Sequence, residues 1–327
     1  MRWHVTVAAS LALAVALACG ETAVADPPPV PREAAARVVS TNVISASQTN
    51  IFVESPAMQR VVQIQILHPA GGGPRPSYYL LDGVDSENDN SDWLQKTDAA
   101  QFFANKNVNV VMPVGGKASY YTDWQKPDPV LGINMWETFL TRELPPIIDG
   151  QFDGNGVNAI GGLSMGGQAA LILAARNPEL YRAISAFSAC PDTGREEAKQ
   201  LVRVTVASRG GDATNMWGPD SDPDWREHDP GTLAENLRGK AMYISVGNGV
   251  LGPPDFVLGN DFGTLLSTGA PLEIGANMCT SDFQTRLDSL SIPAQFVYRF
   301  YGTHSWPYWQ GDLHDSWPTL AAALGTA

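Results

Sequence analysis

The 327-residue chain has little charge and little cysteine. Charged residues make up 17%, and 21 Lys and Arg face 34 Asp and Glu, a formal net charge of −13. The basic residues are scattered, without a cluster. Nucleic acid and anionic membrane surfaces, which recruit basic patches, are therefore not expected partners. The three cysteines form no CxxC and no Cys/His cluster, so a zinc site is not expected. Nucleotide and flavin signatures are lacking as well, and no cofactor is expected. One long apolar run occurs, residues 5–18, too short for a lasting transmembrane anchor. What remains is globular composition: 44% hydrophobic residues, 31 Gly and 24 Pro, enough for a deep core and many turns.

The apolar run has the form of a targeting signal. Met1-Arg2-Trp3-His4 gives a short positive start, and Ala23-Val24-Ala25 ends in the small-x-small pattern read by signal peptidase. A cleavable signal peptide over residues 1–25 is expected, with the mature protein in the cell envelope or outside it. Ala16-Leu17-Ala18-Cys19 looks faintly like a lipoprotein site, with Leu17 out of place. Residues 26–40, opening Asp26-Pro27-Pro28-Pro29, read as a stiff linker. Residues 41–327 then form one catalytic domain. Losing the leader removes Cys19. In an exported protein the remaining Cys190 and Cys279 suggest one disulfide, the alternative being two buried free thiols.

Apolar segments of strand length recur at residues 60–67, 77–81, 109–114, 157–162, 183–187, 241–246 and 294–300, most of them stopping at Gly or Asp. Helical stretches fall at 136–144, where Pro145-Pro146 interrupts, at 168–176, and around 273–290. Strands alternating with helices predict an α/β fold with a mostly parallel central sheet covered on both faces.

Gly162-Leu163-Ser164-Met165-Gly166 fits G-x-S-x-G between an apolar strand and a small-residue helix. In such a nucleophile elbow the glycines permit a sharp turn that lifts the serine hydroxyl off the sheet. The N–H of the next residue, Met165, faces a developing oxyanion. A serine needs a base to take its proton and a carboxylate to orient that base, in the chain order Ser, acid, His. His304, in Gly302-Thr303-His304-Ser305-Trp306 after the last strand, is the candidate base. His228 reads as a solvated loop residue and His314 as exposed. Two acids remain open: Asp255, after the strand ending at Val246, and Glu273, at a helix head where a carboxylate is also favoured by the dipole. The loop Leu81-Asp82-Gly83-Val84-Asp85 is placed to give the second oxyanion donor, the Val84 N–H. Asp82 falls at the pocket rim, or is a turn-capping aspartate.

These segments, with Met112-Pro113-Val114-Gly115-Gly116, Tyr121-Thr122-Asp123-Trp124, Met216-Trp217-Gly218-Pro219 and Gly247-Asn248-Gly249, resemble the secreted mycolyltransferases of the antigen 85 type, in order from about residue 58 to 310. The resemblance implies an α/β-hydrolase fold and a Ser–Glu–His triad. It also implies transfer of mycolyl chains between trehalose esters or onto cell-wall arabinogalactan. The family's acid stands ten residues before a Phe, as Glu273 does before Phe283, which favours Glu273 over Asp255. Its oxyanion donors map onto Val84 and Met165, and its sugar-contacting residues onto Asp82 and Trp306. Three departures stand out: Asp85 replaces an Arg in the pocket segment, Val246 replaces a Cys, and residues 251–271 are longer and differently composed. Asp85 is kept as a candidate substrate contact.

The expected function is acyl transfer through an acyl-enzyme on Ser164, with trehalose mycolates and a cell-wall glycan as partners. A secreted carboxylesterase using the same residues, and a non-catalytic carbohydrate- or matrix-binding relative, are the alternatives. The intact Ser164 and His304 weigh against the last of these.

Overall fold

The apolar runs become strands buried on both faces. In β4 (Arg75–Leu81), Tyr78 and Leu80 enter one core while Tyr79 and Leu81 enter the other. In β7 (Tyr181–Phe187), Ala183 and Phe187 face the second core, Ile184 and Ala186 the first. Side chains alternate across a strand, so a run that is apolar at every position calls for cover on both sides of the sheet. The computed structural model describes residues 35–86, 89–256 and 261–326. The leader expected at 1–25 and the linker up to residue 34 lie outside them.

The remaining strands are β1 (Arg37–Ser45), β2 (Gln48–Ser55), β3 (Arg60–Leu67), β5 (Asn109–Pro113), β6 (Gly154–Leu163), β8 (Ala241–Val246) and β9 (Gln295–Tyr298). They make one nine-stranded sheet in the order β1-β2-β3-β5-β4-β6-β7-β8-β9. The pairs from β1 through β3 to β5 are antiparallel, and the five from β5 to β9 are parallel. Strand β1 begins inside the stretch read as linker. The fold therefore starts by Arg37, ahead of the boundary at 41 that proline content suggested. The exposed edge strand β1, with little burial to impose a pattern, carries a weak sequence signal, and β2 went unread beside it.

The helix read over 136–144 does not stop at the prolines. Trp136–Thr138 runs through a π turn, Phe139–Glu143, into Leu144–Gln151, with Pro145 and Pro146 in that last segment's first turn. There a missing N–H costs little, and the wide turn before it gives the rings room. The elbow helix (Met165–Arg176) packs in the first core, and the C-terminal helix (Trp306–Leu324) covers the second through Trp309, Leu313 and Leu320. In a parallel sheet of this kind, catalytic groups gather beyond the carboxyl ends of the strands. Here β4, β6, β7, β8 and β9 all end on one edge.

Candidate active site

Ser164 sits at the end of β6, at φ 51° and ψ −123°, conformational space a non-glycine residue seldom occupies. Its N–H donates to the Phe187 carbonyl at 2.8 Å, which pins the strained turn to β7. The glycines around it are there for closeness. A Cβ on Gly162 would lie 2.7 Å from the Gly166 carbonyl carbon and 2.8 Å from the Leu81 oxygen. One on Gly166 would be driven into the Asp82 carbonyl.

His304 Nε2 lies 2.8 Å from Ser164 Oγ, and its Nδ1 lies 2.8 Å from Glu273 Oε2. With Nδ1–H donating to the carboxylate, Nε2 is left to accept from the serine hydroxyl. Glu273, in the first turn of the helix Ala270–Ser289, is 1% exposed. Its other oxygen accepts from the Gly247 N–H at 2.6 Å and from Ser188 Oγ at 2.8 Å. Ser188 in turn accepts from Trp309 Nε1 at 2.9 Å, and the Trp309 ring stands edge-on against His304 at 4.9 Å. Ser188, also held at positive φ (49°), and Trp309 were missed in the sequence, where a Ser after a strand and a Trp in a terminal helix carry no signal of what they touch.

Asp255, the other acid considered, does not reach His304. It is fully buried beside the histidine loop, accepting from Thr303 Oγ1 at 2.7 Å, Tyr308 Oη at 2.5 Å and the Gly252 N–H at 2.9 Å. It braces the residues on either side of the base. His228 is buried rather than solvated, stacked on Trp217 at 4.8 Å, with Nδ1 2.8 Å from the Asp224 carbonyl. His314 is half-exposed in the C-terminal helix, stacked on Phe102 and 2.8 Å from Asp98.

Ser164 and His304 line a cavity of about 600 Å³ that also takes in Val84, Asp85, Trp306 and Leu272. Gly83, just before Val84, comes close to the elbow: a Cβ there would be 3.9 Å from that of Ser164. Met165 is the first residue of its helix, where an N–H has no intrahelical partner. Trp306 leans edge-on against Trp93 and Trp309, at 5.3 Å from each.

Asp82 is fully buried rather than at an open rim, accepting from Ser91 Oγ at 3.1 Å and from the Asp92 N–H at 3.2 Å, at the start of the short helix Asp92–Lys96 whose N-cap is Ser91. Burial, and after it the nearby Asp92 carboxylate, push its carboxyl up to about 7 despite these hydrogen bonds. The carboxylate thus holds the first turn of that helix next to the loop carrying Val84. Cys190 and Cys279 form a disulfide with the Cα atoms 4.9 Å apart. It fastens the segment just after Ser188 to the helix that carries Glu273.

An elbow serine ending a central parallel strand, a histidine after the last strand and a carboxylate between them in sequence define the serine-esterase class of α/β-hydrolases. The family model described as "Putative esterase" matches residues 55–320, and the chain belongs to that family, in its antigen 85 branch. It is 35% identical to diacylglycerol acyltransferase/mycolyltransferase Ag85A of Mycobacterium leprae (strain TN), over 84% of this chain and 82% of that protein. Its identity to the Ag85B protein of Mycobacterium intracellulare is 32%, over 84% and 83% respectively. Among solved structures, MPT51 (FbpC1) of Mycobacterium tuberculosis superposes with a TM-score of 0.70 at 24% identity, covering 83% of this chain and 96% of that one. An S-formylglutathione hydrolase from Agrobacterium tumefaciens superposes at 0.63 with 18% identity, covering 88% and 99%. These two likenesses concern the fold.

Proposed function

We propose that this protein is an exported serine acyltransferase that moves a mycolyl chain from trehalose monomycolate to a second trehalose ester or to cell-wall glycan. The observation that carries the reading is the continuous line Ser164–His304–Glu273, with both links at 2.8 Å, opening on a cavity of about 600 Å³. The acyltransferase names of the curated relatives support it. Export rests on the expected leader and agrees with the disulfide, since such bonds persist in oxidising compartments. Among the described residues, no helix is long and apolar enough to cross a membrane.

The chemistry follows from the line. His304 Nε2 takes the proton of Ser164 as Oγ attacks the ester carbonyl. Glu273 holds the ring in the required tautomer and offsets the imidazolium charge. The Val84 and Met165 N–H groups receive the oxyanion, each such donor being worth about 3–4 kcal/mol in the barrier. The imidazolium protonates the departing sugar. An acceptor hydroxyl then gives its proton to His304 and collects the acyl group, freeing Ser164. Water in the acceptor's place makes the same residues an esterase. With a trehalose monoester as substrate, diester should outweigh free acid for the native protein, and Ser164→Ala should lower turnover about 10⁴-fold or more. Full transfer by that variant, or free acid alone from the native protein, would refute the reading.

A further inference from the structure

The cavity is lined by the apolar Val204, Leu265 and Leu272, by the polar Asp85, Asp92, Lys96 and Arg209, and by Trp306. Among the polar residues, two segments 124 residues apart in sequence meet in one ion pair. Arg209 Nε donates to Asp85 Oδ1 at 2.6 Å, and its Nη2 lies 2.6 Å from the same oxygen. Arg209 Nη1 is turned back onto Ser208, donating to its carbonyl at 3.1 Å and its hydroxyl at 2.9 Å. The guanidinium is thus fixed in orientation. Asp85 Oδ2 accepts no hydrogen bond among the described residues, and one N–H of Nη2 remains to donate.

The pair therefore presents an acceptor and a donor side by side, which is the complement of two adjacent hydroxyls. One hydroxyl gives its hydrogen to Asp85 Oδ2 while the neighbouring oxygen accepts from Arg209 Nη2. The pair is reachable: the Asp85 side chain is 57% exposed and that of Arg209 28%. Asp85 also directly follows Val84, the proposed oxyanion donor, and both members of the pair line the same cavity as Ser164 and His304.

We propose that Asp85 and Arg209 act together as the element that selects a sugar acceptor over water, by clasping a vicinal diol at the mouth of the acyl-enzyme. This rests on the acyl-transfer reading above and deepens it. In the step concerned, the C–O bond to Ser164 breaks and one to the sugar oxygen forms. The sugar's proton passes through His304 Nε2 to Ser164 Oγ. The clasp touches neither bond. It fixes which hydroxyl-bearing molecule waits beside His304.

The test is a partition experiment on the full chain. A soluble short-chain p-nitrophenyl ester is the donor, with trehalose or 1-propanol as acceptor, and ester product is counted against free acid. Arg209→Ala should lower the trehalose-ester to acid ratio about tenfold or more, because a site built to bond hydroxyls loses that discrimination with its donor. The ratio with 1-propanol, which has a single hydroxyl, should fall much less. Arg209→Lys should recover part of the trehalose ratio, and Asp85→Ala should imitate Arg209→Ala. Labelling of Ser164 by a fluorophosphonate shows which variants are folded, and Arg209→Gln carries the comparison if the alanine variant does not label. If the native protein transfers to trehalose and folded Arg209 variants keep its ratio, the clasp is wrong while the transferase reading stands. An equal fall with both acceptors also overturns it, as loss of general site structure. Free acid alone from the native protein overturns both together.

Discussion

Asp82 illustrates how an Asp-Gly at a strand end can serve two different ends. Either it turns a carboxylate towards ligand, or it caps the next segment, and the two look alike in sequence. In the structure it is fully buried against Ser91 and Asp92, holding the start of the next helix. The consequence is a pH dependence. A carboxyl raised to about 7 in the fold binds its proton more tightly there than in the unfolded chain. Its contribution to stability is complete below the unfolded value near 4 and is lost as pH rises from there through about 7. Asp82→Asn removes that titration while keeping the shape. The variant should therefore gain stability relative to the native protein on going from pH 5 to pH 8, by about 3 kcal/mol. Denaturant unfolding at the two pH values measures it. A difference that does not change with pH would sink the assignment. Ser164 and His304 were legible because their chemistry demands a recognisable local setting. Ser188 and Trp309 were not, because what they hold lies far away in sequence.

At the scale of elements, the parallel half of the sheet was readable because strands buried on both faces must be apolar throughout. The antiparallel edge and the prolines inside the Leu144–Gln151 helix were not, since one depends on partial exposure and the other on a π turn formed in context. The choice between Asp255 and Glu273 needed the family likeness, because both stand where a carboxylate is at home without catalysis. The structure separates them by what each touches. The Glu273 helix is held at its carboxylate by Ser188 and Gly247, and six residues on by the Cys190–Cys279 disulfide. The bond closes a segment of 89 residues, so by chain entropy its loss should destabilise the protein by about 2–5 kcal/mol. The double variant Cys190→Ser/Cys279→Ser should melt earlier, lose turnover and raise KM as well, since the slackened helix carries both the carboxylate and Leu272 of the cavity wall. Thermal melting together with kcat and KM checks both parts. An unchanged kcat in a folded double variant would mean that the hydrogen bonds alone seat Glu273.

Across the whole molecule, the serine, the base, the acid and the oxyanion donors come from four separate stretches between residues 83 and 304, gathered only because the strands of one sheet end together. The described residues from 35 to 326 form one compact unit, with Trp93 in one core and Trp136, Trp217 and Trp225 in the other. Neither core can be opened without disturbing the sheet edge that both cover, and no part of the site is complete on one side of it. Loss of activity and loss of packing should accordingly be one event. In guanidinium, tryptophan fluorescence and fluorophosphonate labelling of Ser164 are expected to give the same midpoint, as coincident probes do in a cooperative transition. Labelling that vanished at a clearly lower denaturant concentration would show that the edge bearing Ser188, Glu273 and His304 melts ahead of the cores, and that the site is a locally fragile addition to the sheet instead of part of its cooperative structure.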